Sequence, residues 1–290
     1  MLLDPALVRS LERLTLTTRR TLRGLGQGDR RVHGVGRSVE FHDYRAYQPG
    51  DDLRYLDWHA YGRLDRLVLK LYLNEVDLLV QVLLDASGSM AVGQPRKSTY
   101  ALQLAAALGY VGLASLERVA VGYVAAGRAG WLPPVRGRGS FPRVLRFLEA
   151  IAFEGETALN RALAAEARRL PRRSRLVLIS DLLDPAGYQE GLLALQAAGH
   201  DLFLLHLVAP EELEPPELGA VRLVDVESGG SEELTLSGEQ IAAYQARALR
   251  YFAEVEAFCL RRGIGYLRAS TGLPLDELLF RHLAGGRLFR

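Results

Sequence analysis

Five oxygen-bearing side chains stand out in the 290-residue sequence because their types and spacing suit a hard divalent cation. Asp85, Ser87 and Ser89 alternate in Asp85-Ala86-Ser87-Gly88-Ser89, directly after the apolar run 78–84. Thr157 follows Gly155-Glu156, and Asp181 follows Ser180 at the end of the apolar run 176–179. Alternate residues along a turn can bring their side chains towards one point. Two carboxylates and three hydroxyls make an all-oxygen set of the kind Mg²⁺ takes, six oxygens at about 2.0–2.1 Å with some supplied by water. Should the carboxylates act partly through water, the ion stays electrophilic and an open position favours an incoming carboxylate. The plain alternative is a polar turn whose serines cap the next helix. The position after a buried strand, with Thr157 and Asp181 in order at two further loops, favours the metal set.

Gathering such residues requires strand ends brought to one edge of a sheet, and the sequence carries that pattern from residue 76 onward. Strand-type apolar runs at 78–84, 119–125, 176–179, 202–208 and 264–267 alternate with helical periods at 97–116, 140–152, 157–170, 186–198, 238–262 and near 274–284. Residues 129–132 read as a short edge strand and 221–226 as a further strand. This alternation predicts an α/β fold, a mostly parallel sheet with helices on both faces, whose ligands lie outside the carboxyl ends of the strands. Ahead of it, Leu7, Leu11, Leu14 and Leu22 predict an amphipathic helix over 4–23, broken by Gly24, Gly26 and Gly28. Residues 30–75 read as short strands and turns, with Pro49-Gly50 suited to the centre of a type II turn. The expected organisation is a small β-containing extension over 1–75 and a domain over 76–290.

Bulk properties narrow the function. A net charge of +2, from 36 basic and 34 acidic residues, gives no electrostatic case for binding nucleic acid or a membrane surface. Only Lys70 and Lys97 are lysines. Cys259 is the single cysteine, which excludes an intrachain disulfide and a cysteine-based zinc site and suits a reducing cytoplasm. The opening Met1-Leu2-Leu3-Asp4-Pro5 lacks the basic-then-apolar pattern of a signal peptide. The uncharged stretch 98–116 reads as a buried helix and not a bilayer span, being rich in Ala and Gly and carrying Ser98, Thr99, Tyr100, Gln103 and Ser115. A cytoplasmic protein without membrane insertion is expected.

The stretch 40–58 has a second kind of chemistry. Asp43, Asp51, Asp52 and Asp57 interleave with Arg45 and Arg54 among Tyr44, Tyr47, Tyr55 and Trp58, around Pro49-Gly50. Alternating opposite charges suit bidentate Arg–carboxylate bonds that dock the segment on the domain, with a partner-binding surface as the second reading. The acids disfavour contact with phosphate.

Continuing through Arg63 and Lys70 to Glu75, this stretch strongly resembles the signature of the bacterial "domain of unknown function 58" family. There the signature precedes a von Willebrand factor A-like domain opening with Asp-x-Ser-x-Ser-Met, as residues 85–90 do. The resemblance covers about residues 30–290. Asp85, Ser87, Ser89, Thr157 and Asp181 look like the full metal-ion-dependent adhesion site of von Willebrand factor A domains. The resemblance implies Ser87, Ser89 and Thr157 as direct or near-direct ligands of Mg²⁺ or another divalent cation, Asp85 and Asp181 as direct or water-linked ones, and one position left for an acidic residue of a partner. Leu182 departs from the pattern, standing where many relatives have Gly. Some relatives carry transmembrane helices ahead of the signature. Family members are often encoded beside AAA+ ATPases of the MoxR type, so the resemblance also implies such an ATPase and its client protein as partners.

Enzymatic readings find less support. His33, His42 and His59 lack metal-ligand spacing, and Ser87 and Ser89 lack a Gly-x-Ser-x-Gly elbow. Gly88 and Gly93 are followed by Gln94-Pro95, which is no phosphate-binding loop. A phosphoryl-transfer site of the Asp-x-Asp type would want a carboxylate at Ser87. The expectation is a non-enzymatic, Mg²⁺-dependent interaction module; a Mg²⁺-dependent hydrolase on the same site is the alternative, and a purely structural domain the third reading.

Overall fold

The structure is a computed structural model that describes residues 2–12, 14, 39–49, 53, 56–74, 79–125, 127–156, 158–171, 174–214, 219–224, 226, 229–284 and 288. The chain divides into two compact units, Met1–Arg19 with Leu78–Arg290, and Arg20–Asp77. The boundary at 75/76 expected from sequence lies close to the second junction, but the first helix belongs to the larger unit.

That helix, α1, spans Pro5–Leu11, with Asp4 as N-cap accepting from the Ala6 amide at 2.7 Å and Pro at its first position, where a missing N–H is harmless. Leu3 and Leu11 are buried in the larger unit's core, and Tyr110 donates to Glu12 at 3.0 Å. The helix expected over 4–23 is corrected: it ends at Leu11 with Glu12 as its C-cap, Leu14 is not helical, and residues 13 and 15–23 lie outside the described residues.

The smaller unit pairs β1 (Val39–Ala46) with β2 (Val68–Asn74) antiparallel, with a bulge between Phe41 and Asp43. Between them α2 (Trp58–Leu64) is a correction to the expected strands and turns. It has only seven residues, too few for a helical period to show. Its start is fixed by Asp57, whose carboxylate accepts from the His59 and Ala60 amides at 3.0 and 3.2 Å. The turn expected at Pro49-Gly50 involves Gly50, outside the described residues.

The larger unit is built on a six-stranded sheet. In chain order come β3 (Leu79–Asp85), α3 (Lys97–Ala114), β4 (Arg118–Ala125), β5 (Arg128–Arg136), α4 (Phe141–Glu149), α5 (Leu159–Arg169), β6 (Arg175–Ser180), α6 (Gln189–Ala197), β7 (Asp201–Val208), the hairpin β8 (Gly219–Val224) and β9 (Ser231–Leu236), α7 (Gly238–Arg262) and β10 (Gly265–Ser270). Short helical turns over 275–283 follow. The sheet order is β10-β7-β6-β3-β4-β5, parallel throughout except for β5, which runs antiparallel to β4. The edge strand expected at 129–132 is longer because Pro133 and Pro134, which cannot donate to a ladder, are tolerated at an edge. β9 was not expected: its Glu-Glu-Leu-Thr-Leu pattern is too polar and short to read as a strand.

Every residue of β3 and β6 is buried, as central strands covered on both faces must be. Successive side chains point to opposite faces and divide the core. Val80, Val82, Leu84, Val177 and Ile179 pack with Leu104 and Leu108 of α3 and Leu148 of α4. Leu83, Leu176 and Leu178 pack with Leu163 of α5, Leu192 of α6 and Val255 of α7. The fold is therefore mixed α/β, with a mostly parallel sheet and helices over both faces. α3, which carries most of the uncharged stretch, is buried along thirteen of its eighteen residues. Among the described residues no helix is long and apolar enough to cross a membrane.

The path of the chain singles out one place. From β3 it moves to β4 and β5 on one side, then crosses to β6, β7 and β10 on the other. The carboxyl ends of β3 and β6 therefore flank the switch point, where open α/β sheets leave a crevice.

Candidate metal centre

Asp85 is the last residue of β3 and Ser180 the last of β6, so the parallel pairing of these strands brings the two turns side by side. Asp85 is 2% exposed. Its Oδ1 accepts from the Ser87 amide at 3.1 Å, closing the turn, and its Oδ2 accepts from the Ser180 hydroxyl at 2.7 Å. Burial and, after it, the charge of Asp181 push the Asp85 carboxyl up to about 6, against the hydrogen bonds from Ser180 and Ser87. Ser87 and Ser89, both buried, hydrogen-bond through their hydroxyls at 3.0 Å.

Asp181 is 1% exposed and begins the loop after β6. Its Oδ1 accepts from the Leu183 amide at 3.3 Å, and its Oδ2 accepts from Lys97 Nζ at 2.7 Å. Lys97, the first residue of α3, is wholly buried and also pairs with Glu212, in the loop after β7. Burial alone would lower the Lys97 pKa, but Asp181 and Glu212 outweigh it and the net shift is upward. The Asp181 carbonyl faces His206 Nε2 at 3.0 Å, and Tyr266 Oη faces His206 Nδ1 at 3.1 Å. A carbonyl only accepts, so Nε2 carries the proton. Burial holds His206 down to about 4, so the neutral ring must accept at Nδ1 and Tyr266 donates.

Leu182 explains the departure noted in the sequence. Its φ of +56° lies in the left-handed region, where glycine is at ease and leucine is not. The residue is held there by full burial, by its amide donating to Ser180 Oγ at 2.9 Å, and by Tyr251 donating to its carbonyl.

The structure brings Asp85, Ser87, Ser89 and Asp181 to the switch point, while Thr157 lies outside the described residues. Its flanks are tied to the same loops. The Gly88 amide donates to Gly155 O at 2.9 Å and the Glu154 amide to Ala86 O at 3.1 Å, while the Asn160 amide reaches Asp184 Oδ2 at 3.4 Å. Among the described residues no three His, Cys, Asp or Glu side chains form a metal-holding cluster. The expected set, however, has only two carboxylates and completes itself with hydroxyls. Its chemistry fits a hard cation: neighbouring corners of an octahedron with arms of about 2.0–2.1 Å lie about 2.8–3.0 Å apart. Ser87 and Ser89 Oγ, at 3.0 Å, have that separation.

Of the signature residues, Asp57 is 4% exposed; besides capping α2, it accepts from the Tyr44 hydroxyl at 2.9 Å. Trp58 is 63% exposed. Arg45 and Tyr47 are half-buried, Pro49 is exposed, and Asp43 lies in β1. Gly50, Asp51, Asp52 and Arg54 lie outside the described residues. Lys97, Glu212 and His206 were not expected at the site, and Ser180, named in the sequence only beside Asp181, holds the Asp85 carboxylate. The one sequence signal for Lys97 is its rarity, as one of two lysines among 36 basic residues.

Fold and site define a mixed α/β protein whose mostly parallel sheet gathers buried carboxylates and hydroxyls at its switch point. Residues 43–252 match the family described as "Protein of unknown function DUF58", and the chain belongs to that family. It is similar to uncharacterized protein Rv1480 of Mycobacterium tuberculosis (strain H37Rv), with 31% identity over 243 residues, 80% of this chain and 75% of that one. A shorter similarity, 34% over 96 residues, covers 32% of this chain and 56% of uncharacterized protein MAV169 of Mycobacterium avium. Among solved structures, conserved hypothetical protein BatB from Bacteroides thetaiotaomicron is 17% identical, covering 71% of this chain and 97% of that one, with a TM-score of 0.44. A likeness at that level decides nothing about this chain.

Proposed function

We propose that this protein is a non-enzymatic, metal-dependent protein-interaction module of the von Willebrand factor A type. Asp85, Ser87, Ser89, Thr157 and Asp181 would hold Mg²⁺ or another divalent cation. The reading extends to a cytoplasmic setting and to co-operation with a MoxR-type AAA+ ATPase in assembling or activating a client protein. One observation carries it: two buried hydroxyls at an octahedral-edge separation lie in the turn of a buried carboxylate that the residue before a second buried carboxylate hydrogen-bonds. A bound divalent cation would supply an electrophilic centre for a carboxylate of the partner. The chain's own residues do the rest. Ser180 and the Ser87 amide fix the Asp85 carboxylate, and the switch point is where open α/β sheets bind their ligands.

The hydrolase alternative has no specific observation in its favour among the described residues. His206, the histidine beside the site, has both ring nitrogens engaged in hydrogen bonds and is therefore a structural support, not a free base.

The test is a pull-down from the native cytoplasm with wild type and Asp85→Ala, in Mg²⁺ and in EDTA, beside assays for turnover of phosphate and ester substrates. Capture that needs both Mg²⁺ and Asp85, without turnover, supports the module. Steady turnover lost in Asp85→Ala transfers the site to a hydrolase.

A further inference from the structure

Among the described residues, Lys97 is the largest fully buried side chain that carries a charge. Its ammonium bridges Asp181 and Glu212, residues 84 and 115 positions away, and the second oxygen of Glu212 is pinned by the Ala209 amide at 2.9 Å. Stability gives little reason for a lysine here. Replacing a buried ion pair by apolar residues is often neutral or favourable, and a cation in the first turn of a helix has the wrong sign for the helix dipole. In a chain that otherwise meets its need for positive charge almost entirely with arginine, a lysine marks a place that takes a compact point charge and not a planar fork. That place is one carboxylate away from the candidate cation.

The charges decide what it does there. Asp85, Asp181 and Glu212 contribute three negative charges and Lys97 removes one, so the cluster is left with two, the amount a divalent ion neutralises. Asp181 is shared: the carboxylate that would face the ion is already held by the ammonium.

Resting on the metal-dependent reading above, we propose that Lys97 is a built-in counter-cation that weakens divalent-cation binding at this centre and keeps it reversible, while Glu212 draws the ammonium back and opposes it. Removal of the two side chains should therefore act in opposite directions. A purely structural role for the pair would weaken binding in both cases or leave it unchanged.

The experiment is a calorimetric titration of the full-length chain with Mg²⁺ and, separately, Mn²⁺, for wild type, Lys97→Met and Glu212→Gln at one pH and ionic strength. Lys97→Met is expected to bind about tenfold tighter or more, because a unit charge so close acts through a poorly screened path, and Glu212→Gln to bind several-fold weaker. Should Lys97→Met not fold, Lys97→Gln, which keeps a donor for Asp181 but not the charge, carries the same expectation of tighter binding, since Glu212→Gln weakens binding on either reading. Wild-type binding that both variants share within twofold, or that both weaken, overturns the role of Lys97 and leaves the metal centre standing. No Mg²⁺ or Mn²⁺ binding by any of the three overturns both.

Discussion

Replacing Asp85 by Asn should stabilise the metal-free protein while abolishing its response to Mg²⁺. The carboxyl is 2% exposed, and burial together with the charge of Asp181 raises its pKa from 3.8 to about 6. A carboxyl whose folded value lies above its unfolded one costs stability as pH rises through that interval, and at neutral pH the full cost is present. At 1.36 kcal/mol per unit the upper figure is roughly 3 kcal/mol. Asn keeps the shape and an acceptor for the Ser87 amide, but its NH₂ now faces Ser180 Oγ, which must turn from donor to acceptor. If that exchange costs about 1 kcal/mol, about 2 kcal/mol remains, or about 4–8 °C in melting temperature for a unit of this size. Wild type should gain about 2.7 kcal/mol from Mg²⁺ at about a hundredfold its Kd, whereas Asp85→Asn gains nothing. Thermal unfolding near pH 7.5 in EDTA and then in excess Mg²⁺ reads both effects, and the order of the two proteins should reverse. An Asp85→Asn protein less stable than wild type in EDTA by about 1 kcal/mol or more would show that the buried charge is a net support of the fold and refute the reasoning.

Leu182→Gly relieves a left-handed backbone, worth about 1 kcal/mol, but loses a wholly buried leucine, so urea unfolding should show a net loss of about 2–4 kcal/mol; a neutral result would mean that the backbone and not burial decides. His206, held down to about 4 by burial, should stay neutral with its proton on Nε2 across pH 5–8 in ring-nitrogen NMR. Because its folded pKa lies below the usual 6.5, its contribution is present above that value and lost as pH falls towards 4; a titration near 6.5 in the native protein contradicts the buried assignment. Cys259, fully buried with its thiol pushed up to about 12 by burial, should resist thiol reagents until the protein unfolds. Its unfolded thiol ionises near 9 while the native one does not, so stability falls as pH rises beyond about 9; native labelling at the rate of the unfolded chain would argue against its burial.

The parts of this molecule that could be read from sequence are those whose physics is local. β3 and β6 announce themselves because strands covered on both faces are apolar without interruption, and the polar turns that follow are conspicuous by contrast. α7 is legible over its full length because twenty-five residues give the helical period time to show, and Ser237 with Gln240 closes its start. α2 and β9 are not, since seven and six residues carry too little periodicity. The Asp85, Ser87 and Ser89 turn could be read as one cluster, but the Lys97 bridge could not, because its three members come from elements far apart in the chain and no spacing rule joins them. Part of the signature stretch has a local role: Asp57 holds the first turn of α2 and accepts from the Tyr44 hydroxyl.

The two ends of the sheet place polar groups under opposite rules. At the amino ends of β6 and β7, buried Arg175 pairs with Asp201, its neighbour in register, and Asp201 remains 46% exposed in its side chain. Opposite charges meet and one of them keeps its water, which is how a fold satisfies a buried charge at little cost. At the carboxyl ends of β3 and β6, two carboxylates of like sign, 2% and 1% exposed, lie close enough for the charge of one to raise the pKa of the other, and a single lysine is shared between one of them and Glu212. A sheet of this kind can end its strands in solvated turns, so nothing in the packing requires that arrangement. Buried like charges that the fold neutralises only in part suit a site for an external cation, and they lie where the chain reverses direction across the sheet.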